Sequence, residues 1–183
     1  MKFKWDYSGV SDMCFSDSNQ ESYKKAALFL GDTVEDWGAG TMWAKRYFKN
    51  YRGIDGSPSI YIKPEDVVDL VEYTSDVENI LMRQVLECNQ EWRKIIDNVK
   101  KSFRKKLCIT ICTPLVKNTH IGYSQPAIKA DGSKMEDAEL FGIFFNKQDI
   151  LDCFPPNEYI LKEETIDVDI GYGKEWLLYV ERR

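Results

Sequence analysis

Residues 33–41 read Thr33-Val34-Glu35-Asp36-Trp37-Gly38-Ala39-Gly40-Thr41, and this stretch decides the fold that we expect. The partly β-branched beginning predicts a strand over 33–37, and the two glycines predict a tight turn after it. Helical spacing of the apolar residues predicts a helix over 42–49. Glycines let a backbone approach a ligand closely, and the first turn of a helix has unpaired N–H groups to offer it. The stretch therefore predicts a ligand site between a strand and a helix.

A carboxylate at the end of the next predicted strand supports this interpretation. Residues 51–55 predict a second strand that ends on Asp55, and Gly56-Ser57-Pro58 predicts a turn after it. Asp55 follows Asp36 by 55 − 36 = 19 residues, a position where a carboxylate can accept hydrogen bonds from both hydroxyls of a ribose. The combination indicates a nucleoside-bearing cofactor. A dinucleotide is disfavoured because Trp43 occupies the third glycine position of G-x-G-x-x-G.

The rest of the chain alternates between helical and strand patterns. We predict helices over 21–30, 91–103 and 146–153, and strands over 67–73, 79–83, 107–113, 159–169 and 175–181. Residues 114–145 predict mostly loop, because Gly122, Pro126 and Asp131-Gly132 interrupt a segment of little periodicity. Strands separated by helices predict one α/β domain with a mostly parallel sheet that is covered on both faces.

Three of these segments resemble motifs of the class I S-adenosylmethionine-dependent methyltransferases. Residues 34–41 resemble the first motif, 51–57 resemble the ribose-binding second strand, and 79–88 are similar to the fourth strand, with Cys88 in place of a frequent histidine. The resemblance implies a doubly wound seven-stranded sheet of order 3-2-1-4-5-7-6, with an antiparallel seventh strand, in a three-layer sandwich. We expect a single methyltransferase domain over 1–183, with 1–30 and 114–145 as caps on the substrate side.

The resemblance also implies which residues hold S-adenosylmethionine. Gly38 and Gly40 would pass along its methionine part, Asp36 would help to hold the ammonium group, and Asp55 would bind the ribose. Asp76 resembles the acidic residue that meets the adenine amino group. The cofactor-binding residues predicted in this way are Asp36, Trp37, Gly38, Gly40, Asp55, Gly56, Asp76, Val77, Met82 and Arg83.

Several candidate residues also have a structural interpretation. Asp76 could equally cap a helix or a turn, and Trp37 is of a type that packs in cores more often than it stacks on adenine. Glu87 could orient a substrate or lie in solvent at the start of a helix. His120 is a candidate general base, with an ordinary loop residue as the alternative. The residues 123–125, Tyr-Ser-Gln, could contact a polar acceptor.

Charge and motifs limit the function. The formal net charge of −5 disfavours a generic affinity for phosphate backbones, although Lys45, Arg46, Lys49 and Arg52 leave another mode of nucleic-acid contact open. Neither [DN]-P-P-[YF] nor a P-C motif occurs, so methylation of DNA bases is disfavoured. We expect direct methyl transfer to a small molecule or to an accessible group of a larger one. The alternatives are a catalytically silent cofactor-binding or partner-binding domain and, less favoured, a nucleotide-dependent oxidoreductase.

Cysteine usage and hydropathy complete the expectations. The 5 cysteines form no C-x-x-C pair, so the sequence predicts neither a disulfide framework nor a zinc site, and no metal cofactor. No stretch approaches the ~20 apolar residues that a membrane span requires, and the N-terminus has no apolar leader pattern. A cytoplasmic protein is therefore expected, and the oligomeric state is left open.

Overall fold

A mostly parallel six-stranded sheet forms the centre of the chain. The computed structural model describes residues 17–58, 60–128, 134–169 and 172–183, and the side chains among them except those of 17–19, 125–128 and 134–141. The strands are β1 (Thr33–Trp37), β2 (Asn50–Ile54), β3 (Val77–Arg83), β4 (Phe103–Ile111), β5 (His120–Ile128), β6 (Lys134–Phe144), β7 (Tyr159–Asp167) and β8 (Lys174–Arg182). The sheet order is β2-β1-β3-β4-β8-β7, in which β8 runs antiparallel to both neighbours. The predicted order 3-2-1-4-5-7-6 is thus confirmed for the six strands that form, because predicted strands 2, 1, 4, 5, 7 and 6 correspond to β2, β1, β3, β4, β8 and β7.

The predicted strand over 67–73 is wrong. Only Val67 pairs, in an isolated parallel bridge to Asp55 on the side of β2 that faces away from β1. The side chain of Asp69 then accepts a hydrogen bond from the Val71 N–H group at 3.0 Å, and the Glu72 N–H group donates to the Asp69 carbonyl at 3.0 Å. Because this side-chain bond stabilises a turn, pairing stops after one residue. The segment keeps the place of the predicted third strand without forming it.

In the described residues, three α-helices cover the two faces of the sheet. They are α1 (Asp17–Leu30), α2 (Trp92–Ser102) and α3 (Lys147–Leu151). One face packs under α1, and the other packs under α2, whose buried residues Trp92, Ile95, Ile96 and Val99 recur at helical spacing. Ile150 of α3 joins the same cluster as α2. In the described ranges, no helix combines the length and the apolar character that crossing a membrane would need.

The predicted helix over 42–49 is a 3-10 helix of five residues, Trp43–Tyr47. Residues 38–49 make up the whole connection between β1 and β2, and the turn uses the first of them. The connection must return along β1, which is about 16 Å long at ~3.3 Å per residue. Five residues span about 10 Å in a 3-10 helix and about 7.5 Å in an α-helix. The more extended helix therefore suits so short a crossover.

The predicted loop over 114–145 is also wrong for most of its length. β5 and β6 pair antiparallel as a separate two-stranded sheet, from His120 opposite Phe144 to Ile128 opposite Lys134. Pro126 lies within β5 opposite Glu139, with a register shift directly after it. A strand with a free edge tolerates proline because one of its sides needs no ladder bonds. We refer to this pair of strands as the β5–β6 hairpin.

Candidate functional site

The glycine turn lies where β1 and β2 end. Gly38 and Gly40 have φ values of 78° and 52°, a region that favours glycine. The N–H groups of Gly38 and Ala39 both donate to the Ile54 carbonyl, at 2.8 and 2.9 Å, which fastens the turn to the end of β2. A Cβ atom on Gly38 would overlap a methyl group of Val85, which follows β3. Close packing and backbone conformation thus both require glycine at position 38.

Asp55 joins the turn to the segment after β2. It is only 6% exposed. Its Oδ2 accepts a hydrogen bond from the Gly40 N–H group at 2.9 Å, and its Oδ1 accepts one from the Ser57 N–H group at 2.8 Å. Burial raises the pKa of this carboxyl group, and the backbone donors of Gly40, Ser57 and Gly56 oppose the shift. A carboxylate offers about four acceptor sites, so Asp55 keeps acceptor capacity for a ligand beside the turn.

Asp36 lies on the face of the sheet that α1 covers. Its Oδ2 accepts a hydrogen bond from the Tyr51 hydroxyl group at 2.6 Å. Burial raises the pKa of Asp36 to about 7, and the charge of Asp55 adds to the effect while the Tyr51 bond and Arg83 oppose it. Asp36 is thus a buried carboxyl group at the end of β1, with Tyr51 engaging its Oδ2.

Arg83 ends β3 in a buried polar network beneath α1. Its guanidinium group donates to the Ser22 hydroxyl oxygen at 3.0 Å and to the Tyr23 hydroxyl oxygen at 3.3 Å, and its Nε lies 3.2 Å from Oε1 of Glu175. Thr110 donates to the same oxygen at 2.6 Å. Glu175 is fully buried. The network ties α1 to β3, β4 and β8 next to Asp36, so Arg83 shares the predicted site but is engaged by protein groups.

Trp37 and Met82 point away from this face. Both are fully buried in the core on the α2 side of the sheet. The indole N–H group of Trp37 donates to Oε1 of Glu35 at 2.9 Å. The structure therefore brings only the backbone of Trp37 to the turn, and it assigns the side chains of both residues to packing.

Asp76 and Val77 lie at the opposite edge of the sheet from the turn. Val77 begins β3, which runs parallel to β1, whereas the turn follows the end of β1. The Asp76 side chain is 79% exposed and pairs with Arg104 at 3.3 Å. The sequence placed these residues after a third strand that does not form. The structure does not bring them to the other predicted site residues.

Asp69 occupies the place that was predicted for Asp76. It follows the single bridge at Val67, and the Val68 N–H group donates to the Asp55 carbonyl at 2.9 Å. The side-chain amide of Asn98, in α2, donates to the carbonyls of the next residues, Leu70 and Val71, at 3.1 and 2.8 Å. Asp69 therefore stands on a fixed segment beside Asp55. The signal in the sequence was an aspartate directly after two consecutive valines, Val67 and Val68.

The residues predicted near an acceptor lie on and beneath the β5–β6 hairpin. His120 begins β5; its Nδ1 lies 2.8 Å from the Asn118 carbonyl oxygen, and its ring centroid is 5.7 Å from that of Phe144. Tyr123 and the two residues after it also belong to β5. Glu87 is buried in a 3-10 helix, Leu86–Cys88, rather than lying in solvent.

Two of the cations considered for nucleic-acid contacts, Lys49 and Arg52, pair with carboxylates. The Lys49 ammonium group lies 2.7 Å from Asp32, and the Arg52 guanidinium group lies 2.9 Å from Glu35 and 2.8 Å from Asp66. Arg52 thereby neutralises a buried carboxylate on β1. Among the described residues, no group of three or more His, Cys, Asp or Glu side chains is placed to hold a metal ion.

Solved structures share this fold. The 1,6-didemethyltoxoflavin-N1-methyltransferase of Burkholderia thailandensis, with bound 1,6-didemethyltoxoflavin and S-adenosylhomocysteine, is 11% identical with a TM-score of 0.62 over 90% of this chain and 79% of its own. The chain has the fold of the class I methyltransferases. The N-methyltransferase NodS of Bradyrhizobium japonicum, in complex with S-adenosylhomocysteine, has a TM-score of 0.58 at 11% identity, over 91% of this chain and 88% of its own.

A third solved structure with this fold matches the chain over nearly the whole of its own length. The S-adenosylmethionine-dependent methyltransferase of Mesorhizobium loti is 10% identical with a TM-score of 0.58, over 91% of this chain and 98% of its own. No protein-family model matches the sequence, and no curated protein matches it significantly. The likeness is therefore one of fold.

Proposed function

We propose that the chain binds S-adenosylmethionine at the glycine turn and transfers the methyl group to an acceptor on the side of the β5–β6 hairpin. One observation carries this proposal. Asp55 is a buried carboxylate at the end of the second strand, and the N–H groups of Gly40 and Ser57 fix its two oxygens. A ribose with two neighbouring hydroxyl groups matches this acceptor pair.

The other residues around the turn fit the rest of the cofactor. The backbone of Gly38 and Gly40 would lie along the methionine part, and Oδ1 of Asp36 would accept from its ammonium group. Asp69, followed by the N–H group of Leu70, would meet the adenine ring in the role that was predicted for Asp76 and Val77. The cofactor supplies a methyl group that is already activated on a sulfonium, so the protein's contribution is to bind, to orient and to exclude water.

A catalytically silent cofactor-binding domain is the second candidate function. Met42 adopts a left-handed conformation, with φ of 58°, at the end of a turn whose crossover helix is only five residues long. Cys88 stands where the resembling family often has histidine. These differences from the family pattern lie around the turn and leave Asp55 in place. We therefore expect them to affect catalysis more than cofactor binding.

Calorimetry with S-adenosylmethionine, S-adenosylhomocysteine and NAD tests the proposal. We expect micromolar dissociation constants for the first two, and tighter binding of NAD would overturn both candidate functions. The two candidates are then separated by release of S-adenosylhomocysteine from S-adenosylmethionine in the presence of an acceptor panel. Release that depends on an acceptor supports the methyltransferase, and binding without release under any acceptor supports the silent domain.

The structure makes a distinct prediction for the two aspartates. Asp69→Ala should weaken the binding of S-adenosylhomocysteine about 10-fold, the value of one hydrogen bond of roughly 1.4 kcal/mol. Asp76→Ala is the matched control, since that side chain is exposed at the far edge of the sheet, and it should leave the affinity unchanged. The inosine analogue of the ligand, which lacks the exocyclic amine, should bind wild type and Asp69→Ala alike. Weakening by Asp76→Ala alone would contradict the placement.

A further inference from the structure

One carboxylate oxygen of Glu87 is buried and, within the described part of the chain, has no hydrogen-bond partner. The residue is 2% exposed. Its Oε1 accepts a hydrogen bond from the Cys112 N–H group at 3.0 Å, but its Oε2 has no hydrogen-bond partner among the residues that the structure describes. Leaving such an oxygen unpaired costs roughly 1–3 kcal/mol, more where it is charged. A group that a fold keeps buried and half-satisfied at the edge of a site is positioned for a donor from outside the chain.

The position of Glu87 is on the same edge of the sheet as the glycine turn. Val85, two residues before it, touches Gly38, and Cys112 follows the end of β4. Strand β6 of the hairpin packs against the 3-10 helix that carries Glu87. Glu87 thus lies between the turn that would hold the methyl donor and the hairpin that covers the acceptor side.

Aromatic rings lie on and against the hairpin that packs over the helix of Glu87. Tyr123 lies opposite Gly142 of β6, the strand that packs against the 3-10 helix of Glu87. Burial raises the pKa of Tyr123 to about 12, and Cys88, Cys112 and Glu87 are among the groups that add to the shift. Tyr123 and Tyr172 nevertheless remain 39% and 52% exposed. The Tyr172 ring centroid lies 5.5 Å from that of Phe144. Partly exposed rings beside a buried polar group suit a flat apolar ligand with one polar edge.

We propose that the acceptor is a planar aromatic or heteroaromatic compound with an N–H group, whose ring packs against Tyr123 and Tyr172 and whose N–H group donates to Oε2 of Glu87. This inference rests on the proposed function. In its ionised form the Glu87 carboxylate offers only acceptor atoms, so that form selects a donor and disfavours an acceptor molecule that presents a carboxylate or phosphate at this point.

The same carboxylate can take up the proton that methylation releases. As the acceptor nitrogen bonds to the methyl carbon, the bond from that carbon to sulfur breaks, its electron pair returns to sulfur, and the N–H proton passes to Oε2 of Glu87. Burial raises the pKa of Glu87 to about 7, while the N–H groups of Cys112 and of Glu87 itself and the Cys112 thiol oppose the shift and Glu175 adds to it. A base of that strength is matched to proton transfer near neutral pH.

The test uses benzimidazole and 1-methylbenzimidazole as probes, titrated into the protein saturated with S-adenosylhomocysteine. Benzimidazole has the N–H group and its methyl derivative lacks it. We expect benzimidazole to bind at least 10-fold more tightly to wild type. Glu87→Gln keeps the shape and the bond from Cys112 but puts an amide donor in place of Oε2, so this preference should vanish or reverse. Tyr123→Ala should weaken both probes by a similar factor.

The same titrations separate the two proposals. Saturation with S-adenosylhomocysteine is measured first in every variant, and its absence in wild type overturns the proposed function and this inference with it. If the ligand saturates wild type while the two probes bind equally or not at all, the inference alone is overturned. A preference for benzimidazole that persists in folded Glu87→Gln, as judged by thermal unfolding, also overturns it.

Discussion

Asp55→Ala is expected to weaken the binding of S-adenosylhomocysteine about 100-fold or more. The variant removes a charged acceptor of two ribose hydrogen bonds, each of which is worth roughly 1.5–3 kcal/mol. A 100-fold loss corresponds to about 2.7 kcal/mol. The substitution also leaves the N–H groups of Gly40 and Ser57 without their acceptor, so the turn itself becomes less fixed. Calorimetry at one pH and salt concentration measures the change.

The control for Asp55→Ala is the same substitution at Asp76, which lies at the other edge of the sheet. Thermal unfolding without ligand shows whether each variant folds. We expect a small change in stability for Asp55→Ala, because relief of a buried charge offsets the loss of two hydrogen bonds to the turn. A folded Asp55→Ala protein with wild-type affinity would remove Asp55 from the ribose site and would withdraw the main support for the proposed function.

The strands and the turn around Asp55 could be predicted because their signals are local. The β-branched residues of β1, the glycines after it and the carboxylate after β2 lie within a short stretch, and each acts on the backbone next to it. β4 shows that apolar character alone does not locate the start of a strand. Its strand begins at Phe103, before the apolar run, where Arg104 and Lys105 form ion pairs with Asp76 and Glu78 across the sheet. Cross-strand charge pairs are not visible in one strand's sequence.

The choice between Asp69 and Asp76 depends on a competition that a pattern does not resolve. Residues 67–73 have the composition of a strand, but the carboxylate of Asp69 bonds to the Val71 N–H group and stabilises a turn instead. Pairing stops at Val67, six residues before the predicted end of the strand. The aspartate that follows the paired residue is therefore Asp69 rather than Asp76. The adenine-side assignment was therefore sensitive to one local hydrogen bond.

The environment of Glu87 could not be predicted either, since it is set by distant parts of the chain. Its carboxylate accepts from Cys112 at the end of β4, and strand β6 packs over its helix. The sequence showed only a carboxylate near a predicted strand end, which is as compatible with solvent as with burial. Burial and the unpaired oxygen result from sheet order and from the hairpin, which was predicted as loop.

Arg83→Met is expected to destabilise the domain by about 3 to 5 kcal/mol, the cost of removing one partner from a buried ion pair. Both side chains are enclosed, with 8% exposure for Arg83 and 0% for Glu175. Methionine fills a similar volume but, among the described residues, leaves the Glu175 carboxylate with Thr110 and a long contact from Gln84 at 3.5 Å. Against a typical domain stability of roughly 5–15 kcal/mol, the loss is large. Urea unfolding monitored by tryptophan fluorescence measures it.

The double variant Arg83→Met/Glu175→Gln shows whether the unpaired charge causes the loss. Glutamine keeps the oxygen that accepts from Thr110 and removes the charge, so we expect it to recover more than half of the stability that Arg83→Met loses. Glu175→Gln alone supplies the fourth corner of the cycle and stays measurable if Arg83→Met does not fold. Equal instability of the single and double variants would mean that Arg83 acts by tethering Ser22 and Tyr23 of α1. The network would then fix the helix over the turn rather than neutralise Glu175.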